Sequence, residues 1–384
     1  MSFVYIIGAG ASYGEKLVPQ TGSTTTTGPS PPTPPMATGF FDGEFLRKVG
    51  YDPADAEKDF SHAFEYIRWL KQVGKTVPVG EGPWASMNLE EIFTSIELSR
   101  EFHGSESGPG ARYVLIRDSL TRYVWKMISL CTHKKYGAHS KRLVDPLPND
   151  ATVITFNYDL LLDQEQIVAG SQKRLDALDP RAQYRHFYQR VVQKQRLPYE
   201  QSLTGLFLKM HGSLNWFRCT NGTCPWSRDI RLDLDIEGCL RRAIGVHIGE
   251  ESCGYCGSNT IPLIVPPLLH KPILEDSLIR AIWGLARQKL SDAAAVVLIG
   301  FSAQPSDFYA SWLLRTTVGV RPDVDVIIVN PANDPKDDEY QEHSSRMKSI
   351  FPAQFGTSHL DSQFLKFEEI ERVQNLLHTK GLIA

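Results

Sequence analysis

The chain has 384 residues, 42% hydrophobic and 22% charged, with a formal net charge of −3 and a pI near 6.4. That length accommodates one large domain carrying insertions, or two domains, around a core of ordinary size. The nearly neutral balance excludes the basic footprint of a nucleic-acid binder, and no apolar run reaches the length that crosses a bilayer.

The first predicted element is a strand over Val4 to Ile7. It lacks a basic flank and meets glycine at once, so it reads as a strand and not as a secretory signal. The cytoplasm is therefore the expected compartment. The strand runs into Gly8-Ala9-Gly10-Ala11-Ser12. Residues 19 to 39 follow, rich in Thr, Pro and Gly, with Pro31-Pro32-Thr33-Pro34-Pro35 among them. This composition supports neither a helix nor a central strand, and a loop beside the end of the first strand is expected.

From about Pro53 to His133 the apolar spacing turns helical, with Phe60, Phe64, Ile67, Trp69 and Leu70 recurring at helical spacing. Asn88 is a candidate N-cap, followed by Glu90 and Glu91 and then Ile92, Phe93 and Ile96. Tyr113 to Cys131 carries a further long helical pattern. Residues 43–150 are expected to form a helical insertion. Strand signals return at Val153 to Phe156, Leu206 to Met210, Ala294 to Ile299 and Val324 to Val329, and residues 164 to 200 read as helix plus loop. Buried apolar runs alternating with helices predict an α/β fold with a doubly wound parallel sheet, extending through residues 1–384.

The strand ends carry the chemistry. They deliver Gly8, Asn157-Tyr158-Asp159, His211-Gly212-Ser213, Gly300-Phe301-Ser302 and Asn330. In open α/β sheets ligands bind beyond the carboxyl ends of the strands, so these five ends define one expected site. Gly8-Ala9-Gly10 fits the tight turn that brings a pyrophosphate against backbone, or simply a turn. The third glycine of the dinucleotide fingerprint is replaced by Tyr13. Asn157 and Asp159 suit either a helix cap or a ligand contact, and His211 either a core histidine or an acid–base group. Gly212 beside it is expected to allow close approach of a ligand.

Cys219 and Cys224 form one cysteine pair and Cys253 and Cys256 a second, with 28 residues between the pairs. Four thiolates close a tetrahedral zinc site with no open position, so a structural zinc ribbon is expected over residues 216–262. Cys239 and His247 lie between the pairs as alternative ligands. Cys131 sits on an apolar helical pattern and reads as core.

Taken in order, these motifs resemble the sirtuin family. Gly8-Ala9-Gly10-Ala11-Ser12 is similar to the family's phosphate-binding opening. Thr155-Phe156-Asn157-Tyr158-Asp159 is similar to its Thr-Gln-Asn-Ile-Asp segment, with Phe156 in place of Gln. His211-Gly212 resembles its catalytic His-Gly, Gly300-Phe301-Ser302 its ribose-facing Gly-Thr-Ser, and Asn330 its later adenosine-contacting Asn. A zinc ribbon also occurs at this place in the family's order. Pro34-Pro35-Met36, Phe40-Phe41 and the Gly300 to Asp307 stretch resemble the divergent prokaryotic, NAD-hydrolysing branch. No Arg follows Phe40-Phe41-Asp42, and Pro266-Pro267 stands where protein deacetylases carry their peptide-binding loop.

The resemblance implies an NAD glycohydrolase on a sirtuin-like Rossmann fold, acting in antiphage defence by NAD depletion. It implies Asn157 and His211 as catalytic residues. Gly8, Ala9, Gly10, Ala11, Ser12, Asp159, Gly300, Ser302 and Asn330 would hold NAD, and Cys219, Cys224, Cys253 and Cys256 structural zinc. It further implies a homo-oligomer and, in some systems, a DNA-translocase-type ATPase partner, with no membrane and no direct nucleic-acid contact. An NAD-dependent deacylase and a non-catalytic NAD or ADP-ribose sensor remain alternatives. A Rossmann oxidoreductase ranks last, because residues 23 to 38 contain no acid to bind a ribose.

Overall fold

The computed structural model describes residues 2–15, 17–19, 32–72, 87–103, 109–138, 140, 151–164, 206–227, 231–233, 236–245, 252–265, 277–330, 333, 336–355, 364–365 and 375. The chain divides into two compact units. One comprises Met1–Lys16, Gly137–His211 and Pro272–Ala384; the other comprises Leu17–Tyr136 and Gly212–Lys271. The strands in chain order are β1 (Ser2–Ile7), β2 (Leu17–Pro19), β3 (Lys135–Gly137), β4 (Thr152–Thr155), β5 (Phe207–Lys209), β6 (Gly212–Cys219), β7 (Arg231–Leu232), β8 (Thr260–Ile264), β9 (Ala293–Ile299), β10 (Asp325–Val329) and β11 (Phe364–Leu365).

The first unit is built on a six-stranded sheet in the order β11-β10-β9-β1-β4-β5. Every pairing in it is parallel. Counted by the order in which its strands enter the sheet, this is the 3-2-1-4-5-6 arrangement of a doubly wound α/β fold. The expected parallel sheet is therefore present, with β11 as a sixth strand that the apolar pattern does not announce. The strands are short and β-branched, and β4 and most of β9 are buried along their length. That is the pattern of strands covered on both faces. Phe3, Tyr5, Ile7, Val153, Val297, Ile299, Ile327 and Val329 form one buried cluster. Each fully buried aliphatic side chain there stabilises the sheet by about 1.5–3 kcal/mol.

The second unit contains helices Gly43–Lys48, Pro53–Asp59, Ser61–Leu70, Leu89–His103 and Pro109–Thr132. Their starts follow from local chemistry. Asp42 and Asp52 each accept a first-turn amide, and Asn88 Oδ1 accepts Glu90 N–H at 2.7 Å, the cap expected from sequence. Tyr123 stacks on Phe41 at 5.3 Å and donates its hydroxyl to the Phe40 carbonyl. Cys131 is buried, as expected. The same unit holds a three-stranded antiparallel sheet, β7-β6-β8. Gly212 opens β6 at φ +81°, and a Cβ there would lie 2.1 Å from the Leu263 carbonyl oxygen. The close approach that requires this glycine is thus by the neighbouring strand and not by a ligand. Among the described residues no helix is long and apolar enough to cross a membrane.

Candidate functional site

One row of residues fixes the location of the site. Ile7 is in register with Thr155 and with Ile299, Thr155 with Lys209, and Ile299 with Val329. Gly8, Asn157, His211, Gly300, Ser302 and Asn330 all lie one to three residues beyond that row. Adjacent strands are about 4.8 Å apart, so the ends of β1, β4 and β5 span roughly 10 Å. The expected site residues of the sheet therefore emerge along one edge, the carboxyl-terminal edge, which contains the topological switch point between β1 and β9.

At that switch point three glycines interlock. A Cβ on Gly8 would stand 2.5 Å from the Gly300 carbonyl oxygen, and one on Gly300, at φ +61°, 2.1 Å from the Ala11 nitrogen. Gly10 N–H donates to Gly300 O at 2.9 Å, Gly8 N–H to Ile299 O, and Ala11 N–H to Gly8 O. The amides of Gly8, Gly10 and Ala11 are therefore occupied within the protein. Their contribution is backbone proximity between β1 and β9, and not the free donors that the sequence motif implies. The short helix Ala9–Tyr13 begins at Gly8 without a side-chain cap.

Ser12 joins this loop to the end of β4. Its hydroxyl donates to Asp159 Oδ2 at 2.7 Å and accepts from Asn157 Nδ2 at 2.8 Å. Asn157 Nδ2 also donates to the Gly8 carbonyl at 3.0 Å. A carbonyl can only accept, so the amide's orientation is fixed, with Oδ1 turned away. Asn157 is 8% exposed, and Oδ1 is buried without a hydrogen-bond partner among the described residues. An orphaned buried acceptor costs about 1–3 kcal/mol, and a donor from a bound ligand or a water would relieve it. Asp159 Oδ1 accepts Leu161 N–H at 3.0 Å, which fixes the turn after β4.

His211 is buried among aromatic rings. The Phe156 centroid lies 5.2 Å away, Tyr158 6.1 Å, and Trp283 6.4 Å with its plane inclined by 29°. Trp283 donates its indole N–H to the Met210 carbonyl at 3.0 Å, which ties helix Ser277–Ser291 to the residue before His211. Phe156, which stands where the related motif has Gln, also reaches Phe301 at 5.6 Å. It bridges the His211 and Gly300 loops. Trp283 is absent from the sequence-derived site because it sits mid-helix on an ordinary apolar face.

The β9 and β10 ends are cross-tied. Asn330 Nδ2 donates to Phe301 O at 3.3 Å, and Arg346 Nε to Ser302 O at 3.0 Å. Ala303 adopts φ +50°, a strained conformation for a residue with a Cβ. His343, on helix Tyr340–Ile350 with Arg346, is buried. Burial holds its imidazole well below the ordinary value, at about 4, and the Arg346 charge acts in the same direction. Neither His343 nor Arg346 belongs to a motif legible in sequence.

In the second unit the Sγ atoms of Cys219, Cys224, Cys253 and Cys256 lie within 4.8 Å of one another. The Cys219–Cys256 and Cys224–Cys253 separations are 3.5 and 3.8 Å. Zn–S bonds of about 2.3 Å in a tetrahedron require about 3.8 Å between sulfurs, so the four cysteines fit zinc. Without a cation, burial pushes the Cys219 thiol up to about 12, whereas the Ser258 hydroxyl and amide draw Cys256 down to about 6. A bound dication would hold all four as thiolates. Cys239 is not a ligand: its Sγ lies 3.3 Å from the Leu214 carbonyl. His247 and Pro266-Pro267 fall outside the described residues.

No family model matches the chain, and no curated protein matches it. Several solved structures match over most of the chain at low identity. A Sir2 homologue–NAD complex is 15% identical over 92% of this chain and 90% of that chain, with a TM-score of 0.38. A structure titled as the basis for the mechanism and regulation of Sir2 enzymes is 14% identical over 97% and 93%, with a TM-score of 0.36. A Sir2 point mutant with a p53 peptide and NAD is 16% identical over 99% and 94%, with a TM-score of 0.31. The chain is similar to Sir2 proteins. The superposition is loose, and the chemistry of the site stands on its own residues.

Proposed function

We propose that this chain hydrolyses NAD at the bond between nicotinamide and ribose, releasing ADP-ribose and nicotinamide. The observation that carries the reading is Asn157. Its amide is pinned by Gly8 O and Ser12 Oγ, its carbonyl oxygen is buried without a hydrogen-bond partner among the described residues, and it follows β4, which pairs with the strand that leads into His211. Such an acceptor suits a ribose hydroxyl or an attacking water.

In this reaction the C–N bond breaks and its electron pair leaves with nicotinamide, which becomes neutral. The ribose carbon passes through an oxocarbenium-like state. Asn157 orients the ribose or the water, and His211 accepts the proton lost as water adds. The aromatic walls around His211 exclude bulk water. Asp159, already engaged by Ser12 and Leu161, acts by holding the loop at the nicotinamide end. Gly8 to Ser12 lie against the diphosphate, and Gly300, Ser302 and Asn330 face the adenosine half. The sirtuin resemblance extends the reading to NAD depletion in antiphage defence. Oligomerisation or a DNA-translocase-type ATPase would then restrain the activity.

The test is product identification. The purified chain is incubated with NAD, with and without an acylated peptide. ADP-ribose and nicotinamide formed without peptide support hydrolysis. NAD loss that requires the peptide and transfers its acyl group would establish a deacylase instead, and binding without turnover a sensor.

A further inference from the structure

The only charged side chain in the apolar run Leu206 to Met210 is Lys209, and its side chain has no exposure. Its Nζ donates to Asp163 Oδ2 at 2.8 Å and to the Asp159 backbone carbonyl at 2.6 Å. Asp163 is almost as buried, with a side-chain exposure of 2%. Such a pair is a poor stability device, because desolvating two charges offsets their attraction and apolar replacements are often as stable. What an apolar pair does not reproduce is the hydrogen bond to Asp159.

We propose that Lys209, aimed by Asp163, is a positioning residue that locks the Asn157-Tyr158-Asp159 segment against the end of β5. Asp159 is thereby held from both sides, by Lys209 through its carbonyl and by Ser12 through its carboxylate. With Asp159 fixed, Asn157 two residues earlier has one place for its Oδ1. The local clamp stands on these contacts alone; its consequence for catalysis rests on the NAD-hydrolase reading.

The decisive protein is the full chain carrying Lys209→Met with Asp163→Leu, which removes both charges together. The single Lys209→Met leaves a buried carboxylate without its cation and is expected to fold poorly. The double variant is expected to melt cooperatively near the wild type. Amide hydrogen exchange at Asn157 and Leu161 is expected to accelerate by about tenfold or more, while exchange in β9 stays unchanged. Its kcat for NAD is expected to fall by about 30-fold with KM within about threefold, the split of a positioning defect rather than general loss of fold. Unchanged exchange at Asn157 and Leu161 in the folded double variant overturns the clamp. Should the wild-type chain leave NAD intact, the hydrolase reading falls, and the exchange measurement still decides the role of Lys209.

Discussion

The Ser12 hydroxyl reaches across 147 positions of sequence to donate to Asp159 Oδ2 at 2.7 Å. The same oxygen accepts from Asn157, so one hydroxyl couples the short helix after β1 to both polar groups after β4. Ser12→Ala removes the donor and the acceptor at once. It strands Asp159 Oδ2 and one Asn157 N–H, and a stability loss of about 1–3 kcal/mol is expected in denaturant melts. NAD turnover is expected to fall by about 10-fold or more, because Asn157 loses one of its two anchors.

The glycine interlock gives a second expectation, with its own control. Gly300→Ala puts a methyl 2.1 Å from the Ala11 nitrogen at φ +61°. A loss of about 2–4 kcal/mol in thermal or denaturant melts is expected, together with loss of nucleotide binding. Gly284 is an exposed glycine inside helix Ser277–Ser291, with nothing within 4 Å of an added Cβ. Gly284→Ala is expected to stabilise by about 0.5–1 kcal/mol.

Much of this arrangement is legible in the sequence for a physical reason. Strands buried on both faces read as short β-branched runs, so Val4 to Ile7, Ala294 to Ile299 and Val324 to Val329 mark themselves, and the residues just beyond them mark the sheet edge. What stays hidden are contacts between elements. The Gly8-Ala9-Gly10 turn suggests backbone set against a pyrophosphate, whereas the Gly8 and Gly10 amides are engaged by Ile299 and Gly300. Trp283, His343 and Arg346 lie on helices whose spacing reports only an apolar face. Lys209 stands as a cation inside an apolar strand, and the partner that explains it, Asp163, lies 46 positions away.

The four-cysteine cluster makes a separate claim about the second unit. Metal analysis of the purified chain is expected to find one zinc per chain. Cys219→Ser or Cys256→Ser is expected to lose the metal and lower the melting temperature, as is a strong chelator. Cys239→Ser, whose thiol faces Leu214 O, is expected to retain full zinc. Metal loss in that variant would place Cys239 among the ligands.

His343 makes stability depend on acid. Its imidazole is held at about 4 in the fold, against an ordinary value of 6.5. Below pH 6.5 the unfolded chain therefore binds a proton that the native chain refuses. The contribution is intact above pH 6.5 and is lost as pH falls toward 4, by about 3 kcal/mol over that window. Melts across pH 4 to 7 are expected to show this limb, and His343→Leu to flatten it.

The most direct measurement is nicotinamide release from NAD by the wild-type chain beside Asn157→Ala and His211→Ala, with ADP-ribose binding measured on the same samples. The wild type is expected to yield nicotinamide and ADP-ribose in equal amounts. Both variants are expected to bind ADP-ribose within about tenfold of wild type and to turn over at least about 100-fold more slowly. Undiminished NAD cleavage in either folded variant would contradict a site shared by the β4 amide and the β5 imidazole.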